Sequence, residues 1–287
     1  MNTPPRPLYW SIRRELWENR SLYVAPLAVA AIEFFGFMIS TIGMAGRRRA
    51  VLLLNPPQQQ AAIAQPYNFA ALLIMFVTFV VGVFYCLDAL HGERRDRSIL
   101  FWKSLPVSDF TTVLSKASVP FVFLPLVTFA ITVALQLVMM LWSSVVLLPS
   151  GLSATTWTRF DFLPQALMLL YHLVAVHALW WAPLWGWLLL VSAWSRRAPF
   201  LWAVLPLLTI GLVEKIAFNT MHFAALLQHR FLGGAQNFEG NHGMSMSSPA
   251  PATVAELLVS PGLWLGFAFA AVCLAAAVRL RRYREPI

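Results

Sequence analysis

NFAALLIMFVTFVVGVFYCLDAL, residues 68–90, runs almost directly into GERRDRSILFWKSLPVSDFTTVLSK, residues 92–116. The first stretch is continuously apolar and long enough for a hydrocarbon core of roughly 30 Å, which takes about 20 helical residues. It does not alternate, and bare backbone cannot face lipid, so a spanning helix is the conformation it predicts. The second stretch is charged, then apolar and aromatic, then broken at Leu105–Pro106, and it leads into another apolar run. Two membrane helices joined by a large, chemically specific polar segment set the plan for the whole chain.

Working outward, the 287 residues are 59% hydrophobic and 11% charged. A soluble domain holds about a quarter charged residues, so the composition indicates a membrane protein. Six runs are long enough to span: Leu22–Ala45, Asn68–Leu90, Ala117–Leu148, Leu163–Trp194, Pro199–Val213 and Leu257–Val278. The expected fold is an all-α, polytopic membrane helix bundle, a single domain over residues 1–287. The first run is too long for the apolar part of a cleavable signal and reads as an anchor.

Twenty-one Lys and Arg against 12 Asp and Glu would suggest nucleic acid in a soluble protein. Here the basic residues flank apolar runs, the mark of loops retained in the cytoplasm. With both termini inside, 15 of the 21 fall on the cytoplasmic side, the exceptions being Arg47, Arg48, Arg49, Arg159, Lys215 and Arg230. The Arg47–Arg49 cluster either pairs with anionic lipid headgroups on the outer side or marks a first outer loop wrongly placed, and the former is the reading taken. Residues 1–20 place Leu8, Ile12 and Leu16 on one helical face, with Arg13, Arg14, Glu15 and Glu18 around the rest. That pattern predicts an amphipathic helix lying in the inner interface.

The fifth run is short, about 22 Å as a helix. Glu214 and Lys215 follow it, then Ile216–Leu227 is apolar again, so residues 214–256 are expected to form a re-entrant segment and an outer loop. The third and fourth runs exceed what one crossing needs and must tilt or project. The third is expected to extend inward from about Asp109. Pro120, Pro125, Pro183 and Pro206 should kink or loosen their spans.

Within the polar segment, Asp96 is placed to cap a short helix over Arg97–Ser104, and Pro106 stops it. Ser108 or Asp109 then caps the third span. Ile99, Trp102 and Lys103 share one face of the short helix, with Leu105 at its end. An aromatic and aliphatic knob ringed by charge has the anatomy of a protein docking element; an ordinary interfacial loop helix fits the same residues.

Glu93, Arg94, Arg97, Ser98, Ile99, Leu100, Leu105, Pro106, Val107, Ser108 and the downstream Lys116 resemble the cytoplasmic loop of type-2 ATP-binding-cassette (ABC) transporter permeases. The opening IRRELWENRSL, Ile12 to Leu22, is similar to that family's entry into its first span. The resemblance implies a permease that does no chemistry itself. Two copies of a separate ABC ATPase would bind ATP and dock on residues 91–116, at Glu93, Arg94, Arg97, Ile99, Trp102, Lys103, Leu105 and Pro106. A second permease, expected to be another copy of the chain, would complete the path. It also implies a bacterial inner membrane and no cofactor in the chain. No Gly-rich phosphate loop ending in Lys-Ser/Thr occurs in the sequence.

Glu33 stands alone within the first run, and a charge at the bilayer centre costs about 2.5–3.5 kcal/mol, so it should face protein or water. His172 and His177 are five residues apart, whereas helical metal pairs favour a spacing of four; polar packing or a cavity lining is expected, and no metal. Glu33, His172 and His177 are the candidates for a substrate path. The same three residues define an alternative, an intramembrane enzyme acting on a lipid-embedded substrate, and a non-transporting scaffold or sensor is a third. Cys86 and Cys273 lie in apolar runs and read as small buried residues.

Overall fold

The computed structural model describes residues 7–99, 101, 107–233 and 258–283. Among them the regular structure is all helical. Six helices are long and apolar enough to cross a membrane: Ser21–Ser40, Pro56–Arg95, Asp109–Ser150, Phe162–Trp180, Pro199–Phe218 and Pro261–Tyr283. The chain is thus built as a multi-pass membrane protein. Trp102, Lys103, Leu105 and Pro106 lie outside the described residues.

The boundaries differ from the sequence expectation where backbone polar groups, rather than hydropathy, decide them. The first span ends at Ser40, because Thr41 and Gly43 turn the chain and Gly43 takes φ +70°. A short helix, Met44–Val51, then carries the arginine triplet. The second span begins at Pro56, well before the apolar run, since Pro at the first helical turn forfeits no hydrogen bond. The third begins at Asp109, where Ser108 Oγ accepts from the Thr111 amide at 3.1 Å.

The fifth helix corrects the expectation of a short span ending at Val213. It continues through Glu214 and Lys215 to Phe218, about 30 Å in all. Asn219 in the left-handed conformation ends it. Glu214 then reaches forward to cap the next helix, His222–Gln228. Its carboxylate accepts from Thr220 Oγ1 at 2.8 Å, the His222 amide at 2.7 Å and the Phe223 amide at 2.8 Å. The residue read as a marker of the span's end is therefore the cap of its successor.

Two of the expected proline distortions are π-helical turns. Val119–Phe123 contains Pro120, and Leu173–Trp180 directly precedes the helix Ala182–Trp194 with Pro183 in its first turn. The wider turn changes hydrogen-bond partners: the Trp181 amide bonds to the Val176 carbonyl at 3.0 Å, and the His177 carbonyl accepts the Trp185 indole N–H at 2.8 Å. Pro206, by contrast, sits inside an unbroken helix.

Packing divides into two large cores along the bundle. One gathers Leu22, Tyr85, Cys86, Leu124, Trp185 and Leu189 toward the end of the second span. The other joins the first three spans at their opposite end through Phe37, Ile63, Tyr67, Met139 and Phe160. The fifth span stands at the edge, with Ala203 its one buried residue, held by the Trp187 indole donating to the Ala203 carbonyl and by the Trp194–Trp202 edge contact.

The helix Ala182–Trp194 lies against the sixth span so closely that a Cβ on Gly186 would stand 3.0 Å from Ala270 Cα and 3.2 Å from its carbonyl oxygen. Gly186→Leu should therefore lower stability by about 1–3 kcal/mol through overpacking, read as a lower unfolding midpoint in detergent. Gly36→Leu, at a position with nothing within 4 Å of the added Cβ, should leave the midpoint unchanged.

Candidate functional site

The polar residues around Glu93 are folded into the protein rather than displayed on a loop. The N-terminal helix, Pro7–Glu18, supplies the first of them. Glu15 is its most buried residue, 1% exposed, while Trp10 and Trp17 are exposed. Arg13 stacks on both indoles, at 5.4 and 4.6 Å from the ring centres. The charged side of this helix turns to the bundle because a matching set of charges awaits it.

Glu15 Oε1 pairs with Lys116 Nζ at 2.9 Å and with Arg14 Nη2 at 2.9 Å. Its other oxygen accepts from the Tyr85 hydroxyl at 3.0 Å. Glu93 Oε1 shares the same two cations, at 3.1 Å from Lys116 and 3.2 Å from Arg14. Glu93 Oε2 pairs with Arg281 of the sixth span, and Arg281 Nε also reaches Asp109 Oδ1 at 3.1 Å. Three cations thus face three carboxylates, Glu15, Glu93 and Asp109. At the rim, Arg14 Nε approaches Glu18 at 3.5 Å. Burial raises the Glu18 carboxyl above its ordinary pKa, and Arg14 opposes the rise.

Withdrawing ions from water costs several kcal/mol each, and mutual attraction recovers this only in good geometry. The cluster is therefore a weak source of net stability and a strong constraint on position. A shift of any one helix strands a charge. The four segments it joins are the N-terminal helix, the end of the second span, the start of the third and the end of the sixth.

A second set of bonds ties the same segment to the end of the helix Ala182–Trp194. Ser192 Oγ accepts from the Leu90 and His91 amides, both at 2.9 Å, satisfying the open start of the short helix His91–Arg95. His91 Nδ1 lies 3.2 Å from the Ser195 carbonyl, and Arg94 donates to the Ala193 carbonyl. Just beyond, Arg97 holds φ +56°, a left-handed conformation that costs a non-glycine residue about 1–2 kcal/mol. Arg97 thus turns the chain instead of opening the expected helix, while Ser98 and Ile99 are helical.

Of the residues singled out in the sequence, Glu93 and Arg94 are structural connectors in the interior. Arg97 is exposed, and Ile99 is 1% exposed and packs inward. The outward apolar surface here includes Phe101 and Phe110. Glu33 is half-buried on the first span. His177 is buried against Trp181 and Phe79, its ring centre 4.7 and 5.9 Å from theirs, and its Nδ1 has no hydrogen-bond partner. His172 is half-buried in the preceding turns. Among the described residues, no three His, Cys, Asp or Glu side chains converge as metal ligands.

Sequence reading missed Glu15, Tyr85 and Arg281 as parts of one site. The usable signal was their position: each lies within a turn or two of an apolar run's edge, where a charge or hydroxyl reaches its neighbours at one depth. No protein-family model, curated protein or solved structure matches the chain.

Lys116→Met should leave two buried carboxylates short of a cation and cost about 3–5 kcal/mol, measured by denaturant unfolding in micelles. Adding Glu15→Gln to it should cost less than the two single losses together, because the pair shares one interaction. Strictly additive losses would dissolve the network.

Proposed function

We propose that this chain is the membrane-spanning permease subunit of an ATP-driven type-2 ABC exporter, coupling hydrolysis by a separate ATPase to export of a substrate yet to be identified. The observation that carries this reading is the convergence on residues 90–95. Buried ion pairs and hydrogen bonds join them to the third and sixth spans, to the end of the helix Ala182–Trp194 and to the N-terminal helix. A segment that only connected two spans would not need a balanced ionic core. A segment that receives force must be tied to everything it moves.

In this reading both termini and residues 91–116 face the cytoplasm of a bacterial inner membrane, as the basic-residue bias supports. Two ATPase copies press on the surface presented by Arg97 and Phe101, and the resemblance adds Trp102, Lys103, Leu105 and Pro106 to the docking element. The push passes into Glu93 and from there, through Lys116 and Arg281, into the third and sixth spans. Docking and transmission belong to different residues: the exposed side chains capture the ATPase, and the buried charges carry the displacement. A second copy of the chain completes the path, and the uncovered fifth span offers surface for that copy or for lipid.

Purification from native membranes should bring an ATPase down with the wild-type chain. The pair Trp102→Ala, Leu105→Ala should reduce its recovery about tenfold, roughly 1.4 kcal/mol of interface energy. Glu93→Gln should retain the captured ATPase but abolish the change in spacing that ATP and vanadate produce between spin labels on the third and sixth spans. A wild-type chain that recovers no ATPase overturns the proposal.

A further inference from the structure

The arginine triplet Arg47–Arg49 has no part in the coupling reading, and the structure separates its members. Arg47 and Arg49 are exposed, and Arg47 donates to the Ser40 carbonyl. Arg48 turns inward and is 5% exposed. Its Nη2 donates to Thr156 Oγ1 at 3.2 Å. Behind Thr156, its hydroxyl lies 3.1 Å from Ser143 Oγ, which accepts from the Tyr67 hydroxyl at 3.5 Å. All three of these partners are buried and uncharged.

A chain of hydroxyls orients a guanidinium but does not balance it. Among the described residues, no carboxylate forms an ion pair with Arg48. Burial lowers its pKa, yet an arginine does not give up its proton in a protein. The escape open to a buried lysine is closed, so the charge needs a counter-ion. Nη2 is the one side-chain nitrogen of Arg48 that makes a hydrogen bond among the described residues, which leaves Nε and Nη1 as free donors.

The surroundings hold this geometry in place. Gln59 Nε2 donates to the Leu52 and Leu54 carbonyls at 3.0 and 2.7 Å, fixing the exit of the short helix that carries Arg48. The second span runs from Gln59 at this end to Glu93 at the other, so the site stands at the far end of the bundle from the ionic cluster. Arg47 and Arg49 add exposed positive charge on either side.

We infer that Arg48 is an anion site for a phosphate group, whose oxygens match the planar fork of a guanidinium, with Thr156 holding the fork in orientation. The inference is independent of the exporter reading. A lipid headgroup and free phosphate present the same chemistry, and the test separates them.

The test uses the full chain in phosphate-free maltoside micelles, titrated separately with short-chain phosphatidylglycerol and with inorganic phosphate, against chloride at equal ionic strength. Unfolding midpoint and native mass spectrometry are the readouts. Saturable stabilisation by the lipid alone assigns a headgroup site, and by phosphate alone a free-anion site; either sustains the proposal, as does a response to both. Arg48→Gln should weaken the response about tenfold, whereas Arg47→Gln and Arg49→Gln should hold it within about twofold. No response of the wild type, or equal losses in all three variants, overturns it. The wild-type titration stands even if Arg48→Gln does not fold.

Discussion

A carboxylate in a low-dielectric interior has to be neutralised where it stands, and Glu93 meets that demand through three separate parts of the chain. Arg14 comes from before the first span, Lys116 from the third and Arg281 from the sixth. Each is far from Glu93 in sequence, so the cluster forms only when the bundle is assembled. The hydrophobic effect drives apolar helices into lipid but does little to choose between packed arrangements there. Here that choice rests on charge: an alternative arrangement of these helices leaves an ion unpaired at a cost of several kcal/mol.

The same constraint explains why the polar end of the second span is bonded into the bundle. Its amides are received by Ser192, its His91 ring and Arg94 guanidinium by carbonyls at the end of the helix Ala182–Trp194. The strained backbone at Arg97 marks where this fixed portion ends. At the far end the first three spans have a core of their own, so the two ends of the molecule are held by different interactions.

The helices were legible in the sequence because hydropathy over twenty residues is a strong signal. Their ends were less so. Pro56 begins a helix long before the apolar run, and the fifth helix carries Glu214 and Lys215 within it; both outcomes follow from local hydrogen bonding that hydropathy does not register. The site was legible in part. Glu93 and Arg94 stood out, but as surface charges, because charge near an apolar run reads equally as a solvated loop. That Glu15 would be buried was not visible, since burial of one charge depends on Lys116 and Tyr85 arriving from distant segments. The inward turn of Arg48 was hidden for the same reason: the triplet reads as three equivalent cations until Thr156 is placed beside one of them.

The sixth span begins at Pro261 and has 23 residues, whereas the second runs for 40. Both finish at the same ionic cluster, so at about 1.5 Å per residue the second outreaches the sixth by roughly 25 Å. Much of that excess is polar, Gln58–Gln60 at one end and His91–Arg95 at the other, so it extends the helix past its apolar stretch instead of setting the thickness of hydrocarbon the span needs.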